Sequence, residues 1–220
     1  MSSYKENVLI IGGSGGLGSG LAENLSKDFN VFAVGSKDFN ILDLENIKKF
    51  FEEKEIGNIV NLAGYNYDCL LHKYNATNHH EIDKQIDVVI KGSLNVLNAC
   101  LPGMRERGYG RIILASSILA SSPVAGTGVY SAAKSFVEGL VKACSVENRK
   151  KGITANAIQI GYFDAGLTHR IPDKLKDTIL ESLPSGRWGT IEELASTVRF
   201  LIENEYISGT TIKANGGAQF

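Results

Sequence analysis

The amino-acid sequence predicts an α/β fold in which a parallel sheet carries helices on both faces. Short, mainly apolar runs such as Val8–Ile11 and Arg111–Ala115 are typical of parallel strands that are buried on both sides. Segments with helical periodicity separate these runs, and no linker or internal repeat interrupts the alternation. We therefore expect one doubly wound domain over residues 1–220, the architecture known as the Rossmann fold.

Composition limits the classes of partner. The chain has 220 residues, of which 43% are hydrophobic and 21% are charged, as in globular proteins. The net charge of −1 gives no electrostatic reason to expect binding to nucleic acid or to an anionic membrane. Three widely spaced cysteines, Cys69, Cys100 and Cys144, are interpreted as reduced thiols. With no run near the ~18 apolar residues of a membrane helix and no signal-peptide pattern, we expect a cytoplasmic protein.

The first strand leads into a glycine-rich loop and then a helix. Val8–Ile11 runs directly into Gly12–Gly18, and Leu17, Leu21 and Leu25 begin a helical spacing. Glycines allow a pyrophosphate to approach the backbone, and the helix N-terminus offers free N–H groups to it. A merely flexible turn is the alternative, but the position between strand and helix favours a phosphate site. The cofactor contacts predicted here are Gly12, Ser14, Gly15, Gly16, Leu17 and Gly18.

The second strand indicates which dinucleotide binds. Val31–Val34 is followed by Ser36 and Lys37, about where an NAD-specific site usually has an acidic residue for the ribose 2′-hydroxyl. Serine and lysine would accept a 2′-phosphate, which favours NADP(H) over NAD(H). Asp38 is close enough to leave NAD(H) open.

The stretch from residue 110 to 140 contains a possible proton-transfer device. Ser117 follows a predicted strand, and Tyr130 and Lys134 lie one turn apart on a predicted helix. A tyrosine ordinarily loses its proton near pH 10, and we expect the lysine ammonium to lower that pKa. A surface tyrosine and lysine on an amphipathic helix is the simpler interpretation of this spacing alone.

The other elements follow in order along the chain. After the second strand, a short segment leaves little room for a full helix before the third strand, although a helical pattern starts near Ile47–Phe51. The remaining predictions are a strand over 59–64, a helix over 81–101 that ends before Pro102, a strand over 153–160, an irregular segment over 161–185 around a short helical piece, a helix over 191–202 and a last strand over 210–213.

Taken together, these motifs resemble those of the short-chain dehydrogenase/reductase family over nearly the whole chain, most of all its 3-oxoacyl-carrier-protein reductase branch. The matching motifs are the Gly12-x-x-x-Gly16-x-Gly18 loop, the Asp43-Leu44 pair by the adenine, the turn Asn61-Leu62-Ala63-Gly64, the set Ser117, Tyr130 and Lys134, Gly161 after a strand together with Phe163, and Gly186–Thr190 with Glu192-Glu193.

The resemblance implies an NAD(P)(H)-dependent oxidoreductase that interconverts a carbonyl and a secondary alcohol. Ser117, Tyr130 and Lys134 would be catalytic, and Tyr130 and Lys134 would also contact the cofactor. The cofactor half would span about residues 1–110 and the catalytic half about 111–220. Relatives pair through the helices corresponding to residues 81–101 and 130–149, which implies a homotetramer or homodimer.

Several positions depart from the family pattern. Ile11 and Ile160 replace the usual threonine and proline, and the helix after the second strand is expected to be deleted, which would leave the adenine side open. Val89 stands where the family has an asparagine that holds a water for the lysine. A different register, with Asn95 or Asn98 in that role, is the alternative.

Two other functions remain open at this point. A dinucleotide-binding sensor or scaffold with little turnover would fit Val89, whereas the intact serine, tyrosine and lysine argue for an enzyme. An enzyme acting on a nucleotide-sugar would need a larger C-terminal domain.

The four histidines lack metal-ligand spacing, so no metal is expected. Tyr162 and Trp188 either line the substrate pocket or pack the segment that covers it, and Asp164 faces either cofactor or solvent.

Overall fold

A computed structural model describes residues 3–218 and contains a six-stranded sheet in which every pair of neighbours is parallel. The strand order is β2-β1-β3-β4-β5-β6, which confirms the predicted fold class. The order reverses between β1 and β3, and ligands of open α/β sheets bind at such a switch point. The strands are β1 (Asn7–Ile11), β2 (Asn30–Val34), β3 (Asn58–Asn61), β4 (Gly110–Ser117), β5 (Ile153–Ile160) and β6 (Thr211–Ala214).

Helices cover both faces of the sheet because successive strand residues point to opposite sides. Leu9 and Ile112 face one side and pack with apolar residues of α2, α4 and α5. Ile10 and Ile113 face the other side and pack with α1 and α7. The helices are α1 (Gly16–Leu25), α2 (Leu44–Glu53), α3 (His79–Ile86), α4 (Gly92–Arg107), α5 (Gly128–Asn148), α6 (Asp173–Ser182) and α7 (Ile191–Glu203).

The connection between β2 and β3 contains more helix than expected. The prediction of little room there was wrong, because α2 spans ten residues and begins at its N-cap, Asp43. The Asp43 carboxylate accepts a hydrogen bond from the Asn46 N–H, and Ile47 anchors the helix in the core. Within the described residues no strand pairs with the outer side of β2, so this edge of the sheet is open.

The predicted helix over 81–101 is a composite. A π-helical turn, Asp87–Lys91, separates α3 from α4. The prediction that the helix ends before Pro102 was wrong, since α4 continues through Pro102 and stops at the left-handed Gly108. A proline removes one helical hydrogen bond, here to the carbonyl of Asn98. Asn98 is exposed, so water can replace that bond.

The C-terminal part of the chain follows the sequence more closely. Strand β5 has the predicted bounds, and α7 starts at a capping box in which Thr190 and Glu193 exchange hydrogen bonds. The segment expected to be irregular contains α6. Over residues 3–218, no helix combines the length and the apolarity needed to cross a bilayer.

Candidate active site

The glycine loop is fastened to the end of β2. The N–H groups of Gly12 and Gly13 both donate to the Val34 carbonyl, at 3.0 and 2.8 Å. Gly12 has a φ of +85°, in the left-handed region that glycine adopts without strain. A side chain at Gly18 would overlap the Gly12 carbonyl oxygen. The loop therefore depends on glycine for its path and not only for flexibility.

The start of α1 is free to receive an anion. Its N-cap, Gly15, provides no side-chain hydrogen bond, so the first-turn N–H groups, which include that of Leu17, keep no capping partner. Ser14, Gly15 and Gly16 are exposed at the carboxyl edge of the sheet. Free N–H groups, a positive helix end and a backbone without side chains fit a dinucleotide pyrophosphate.

The residues expected near the adenosine ribose lie just beyond β2. Ser36, Lys37 and Asp38 are exposed in the turn that follows this strand. Asp43 is engaged as the cap of α2, and Leu44 is the first residue of that helix. The three exposed side chains lie in one turn, so the geometry does not show whether NADP(H) or NAD(H) is preferred.

The turn after β3 borders the lysine. The buried Asn61 side chain accepts a hydrogen bond from the Ala63 N–H at 3.0 Å, which shapes the turn. At Gly64, a Cβ would lie 3.7 Å from the Lys134 Nζ. The Asn61–Gly64 turn and Lys134 are therefore neighbours.

Strand β4 and helix α5 bring the predicted catalytic residues together. Ser117 ends β4, and its hydroxyl accepts from the Leu119 N–H at 3.2 Å and lies near enough to the Tyr130 phenol to act on its pKa. The Lys134 Nζ lies 5.7 Å from the centre of the Tyr130 ring and donates to the Ala115 carbonyl at 2.7 Å. A hydroxyl, a phenol and an ammonium thus meet at the carboxyl edge of the sheet.

The ionisation of this group differs from the expectation. Burial raises the pKa of Tyr130 to about 12, while the Ser117 hydrogen bond acts to lower it and the Asp68 charge to raise it. Burial also lowers the pKa of Lys134 to about 8. The phenol pKa is raised and not lowered as predicted, because the loss of hydration on burial dominates.

Comparison with known proteins identifies the family. A family model described as enoyl-(acyl carrier protein) reductase matches residues 19–219. The 3-oxoacyl-(acyl-carrier-protein) reductase of Rickettsia felis is 31% identical over 231 residues, 95% of each chain. The acetoacetyl-CoA reductase of Rhizobium meliloti is 39% identical over 165 residues, 74% of this chain and 67% of the relative. The chain belongs to the short-chain dehydrogenase/reductase family.

Members of this family are NAD(P)-dependent oxidoreductases, and the fold agrees with the assignment. An oxidoreductase of the short-chain dehydrogenase/reductase family from Burkholderia thailandensis has a TM-score of 0.87 at 19% identity. The match covers 96% of this chain and 92% of that structure. Within the described part of the chain, no three His, Cys, Asp or Glu residues form a group that could hold a metal ion.

The position predicted to correspond to the family's asparagine is apolar. Val89 is 1% exposed and belongs to the same apolar cluster as Ala133, the neighbour of Lys134 in the chain. The amide of Asn95 donates instead to the Ile41 carbonyl at 3.1 Å, and Asn98 is exposed. Neither asparagine is hydrogen bonded to the catalytic group, so the alternative register gains no support.

A buried polar network behind the site was not anticipated. The Ser116 hydroxyl donates to the Glu138 carboxylate at 2.6 Å, and the Gln159 amide donates to the same oxygen at 2.9 Å. The Ser116 Oγ also lies 3.3 Å from the Lys134 carbonyl oxygen, which places α5 beside the end of β4. The one available signal was that Glu138 follows Lys134 by one helical turn.

The segment after β5 packs over the site. Tyr162 and Trp188 have ring centres 5.9 Å apart and join a small apolar cluster, which favours the packing role over the pocket-lining role. Phe163 is buried and bridges to Gly189, whereas Asp164 is exposed and pairs with His169 at 3.0 Å. The backbone is close on both sides of this segment: a Cβ on Gly161 would lie 2.6 Å from the Asn215 Cα, and one on Gly16 would lie 2.6 Å from the Gly166 nitrogen.

Proposed function

We propose that this protein is an NADPH-dependent reductase that converts a ketone to a secondary alcohol. The observation that carries the proposal is the cluster of Ser117, Tyr130 and Lys134 at the sheet edge where the glycine loop offers free N–H groups. Hydroxyl, phenol and ammonium are the groups that hold a carbonyl oxygen and deliver a proton to it. The cofactor supplies the hydride when it is bound.

Each catalytic residue has a distinct part in this mechanism. The Ser117 hydroxyl and the Tyr130 phenol donate hydrogen bonds to the substrate carbonyl oxygen. Tyr130 then transfers its proton to the developing alkoxide and becomes a phenolate. Its pKa of about 12 keeps the phenol protonated at neutral pH, as an acid requires. The Lys134 ammonium, held by the Ala115 carbonyl, stabilises the phenolate.

Cofactor recognition is assigned to three places along the sheet edge. The glycine loop would hold the pyrophosphate, and Ser36 with Lys37 would accept a 2′-phosphate, which is the reason for preferring NADP(H). Tyr130 and Lys134 would contact the nicotinamide ribose. The remaining contacts in this proposal are Asp43, Leu44, Asn61, Ala63, Gly64, Gly161 and Phe163.

The substrate class and the assembly rest on the relatives and on the surface. The names of the relatives, acetoacetyl-CoA reductase and 3-oxoacyl-(acyl-carrier-protein) reductase, point to a 3-oxoacyl thioester. An apolar groove of about 420 Å³ between α3 and α5 includes Leu71, Ile86 and Ile90. We assign this face to a second copy of the chain, giving a homodimer or homotetramer, and we infer a cytoplasmic location.

Substitution of the phenol tests the proposal. Tyr130→Phe removes the acid but no glycine-loop contact, so we expect the rate of NADPH oxidation with acetoacetyl-CoA to fall by a factor of about 10² or more. Fluorescence titration should give nearly the same Kd for NADPH in both proteins. Wild-type turnover in this variant would refute the role of Tyr130.

A sensor or scaffold is the second candidate, and the buried Val89 is the observation that favours it. Such a protein would bind NADPH tightly and yet fail to consume it with acetoacetyl-CoA or with other ketones. Failure to bind NADPH and NADH alike would exclude both candidates, because each depends on the glycine loop.

A further inference from the structure

Gln85 carries an unsatisfied amide in the interior. This residue lies in the last turn of α3 and is 0% exposed. Its Oε1 accepts a hydrogen bond from the Tyr67 N–H at 2.6 Å. Among the described residues its Nε2 has no hydrogen-bond partner. Buried amides are nearly always paired with protein or with ordered water, so this donor indicates a bound group.

The segment held by Gln85 borders the catalytic residues. Gly64 lies against the Lys134 Nζ, and the charge of Asp68 acts on the Tyr130 phenol. Between these two residues lies Asn66, whose Oδ1 is a buried acceptor with no partner in the described chain. Helix α3 therefore supplies an unpaired donor, the Gln85 Nε2, and the loop beneath it supplies an unpaired acceptor, the Asn66 Oδ1. A water molecule can satisfy both.

Lys134 needs such a water. An ammonium has three N–H donors, and the Ala115 carbonyl takes one. The side chain is buried, so a proton given to Tyr130 must be replaced through a polar contact in the interior. Val89, one turn after Gln85 on the same helical run, offers only methyl groups. The Gln85 Nε2 and the Asn66 Oδ1 are buried side-chain atoms of α3 and of the loop after β3 that have no hydrogen-bond partner among the described residues.

We propose that Gln85 is a positioning residue that holds a water molecule for proton delivery to Lys134. The water oxygen accepts from the Gln85 Nε2, and one water hydrogen is donated to the Asn66 Oδ1. After Tyr130 has protonated the alkoxide, Lys134 returns a proton to the phenolate and takes one from this water, which regains a proton from bulk solvent. The inference rests on the proposed function and assigns a further residue to it.

Gln85→Met provides the first test, since methionine matches the length of glutamine and has no amide. With NADPH and acetoacetyl-CoA we expect kcat to fall about tenfold or more and the solvent deuterium isotope effect on kcat to rise. The KM and the Kd for NADPH should stay within about twofold. Asn95→Leu is the matched control, because it removes an amide that bonds to Ile41, and it should leave kcat and the isotope effect near wild type.

A rescue separates positioning from simple structural support. Asparagine at position 89 places an amide one helical turn from position 85, so Gln85→Met/Val89→Asn should regain most of the lost kcat. Wild-type kcat in Gln85→Met, or a loss that Val89→Asn leaves unchanged, would overturn the proposal. If Gln85→Met does not fold, Asn66→Ala deletes the proposed acceptor of the water hydrogen and leaves the bond between the Tyr67 N–H and Gln85 in place, and the same losses are expected.

A high-resolution crystal structure gives a readout that is independent of turnover. We expect an ordered water within hydrogen-bonding distance of both the Gln85 Nε2 and the Lys134 Nζ. A Gln85 amide that contacts only protein atoms would refute the water site even in an active enzyme. Conversely, full activity of Tyr130→Phe would refute the proposed function, whatever the water does.

Discussion

The buried lysine is the residue at which function and stability conflict. Lys134 is held in the interior by one carbonyl, and burial lowers the pKa of its ammonium to about 8. The proposed mechanism needs this ammonium charged, whereas burial favours the neutral amine. Such strain between charge and environment is common at catalytic sites.

We therefore expect the rate of ketone reduction to fall as the pH rises through about 8. The sign follows from the active form: the protonated lysine predominates below its lowered pKa and is lost above it. The phenol, with a pKa raised to about 12, stays protonated over this range and adds no second fall. The measurement is kcat/KM for acetoacetyl-CoA with saturating NADPH from pH 6 to pH 10.

Asp68→Asn is the control for this profile. Asp68 acts on the Tyr130 phenol, while burial alone accounts for the lowered pKa of Lys134. The variant should keep the fall near pH 8. A profile of kcat/KM that is flat to pH 10 would show that Lys134 does not set the alkaline limit. A fall that occurs at a different pH in Asp68→Asn than in the wild type would show the same.

Single residues differ in how well the sequence predicts them. The closeness of Tyr130 and Lys134 could be predicted from their spacing, because one helix carries both. Gln85 and Asn66 could not, since their unsatisfied atoms exist only after α3 packs on the loop from β3. The direction of the Tyr130 pKa shift was missed for the same reason: burial is a property of the packed site.

Among the elements, the glycine loop is the one in which neighbouring backbone atoms leave no room for a side chain. Strand β1, the loop and α1 pass so close to one another that the α-carbon of Gly18 faces the Gly12 carbonyl. Gly139, in the middle of α5, has no atom within 4 Å of the place where its Cβ would be. The two helical glycines thus differ in surroundings although the residue type is the same.

Alanine at these two positions should have opposite effects. Gly18→Ala should distort the loop, lower the melting temperature and weaken NADPH binding about tenfold or more, because an overlap with backbone is not relieved by a rotamer change. Gly139→Ala should stabilise the protein by about 0.5–1 kcal/mol, the usual gain of alanine over glycine in a helix. Thermal unfolding and NADPH titration of both variants check this. Equal NADPH affinity in Gly18→Ala and wild type would contradict the close-contact account.

The helical region before β4 shows where periodicity fails. The apolar pattern over 81–101 does not distinguish a continuous α-helix from α3, a π-helical turn and α4. The extra residue of a π turn leaves no clear mark in the spacing of apolar side chains. The end of the helix at Pro102 was predicted wrongly for a different reason. The free-energy cost of a proline in a helix depends on whether the carbonyl that loses its hydrogen bond is exposed, and the tertiary structure determines that exposure.

At the scale of the whole molecule, the parallel sheet was predictable because strands and helices alternate and such units allow few topologies. Which part of the surface would contact a second copy of the chain is less evident from the sequence. Leu71 is 71% exposed at the rim of the apolar groove between α3 and α5, and Ile86, Ile90 and Val129 line the same groove. Contiguous apolar patches at the surface are typical of association sites, and we propose on this basis that the groove contacts a second copy of the chain.

Leu71→Glu should therefore weaken self-association. Burial of a leucine side chain contributes about 1.5–3 kcal/mol, and each 1.4 kcal/mol is about a factor of ten, so we expect the dissociation constant of the dimer to rise at least about tenfold. Sedimentation velocity over a range of concentrations measures it. Tyr206→Glu is the matched control, because Tyr206 is 90% exposed outside this groove and its replacement should leave the association unchanged. An assembly equally stable in Leu71→Glu would place the interface elsewhere, and a wild-type monomer would mean that the groove does not bind a second copy of the chain.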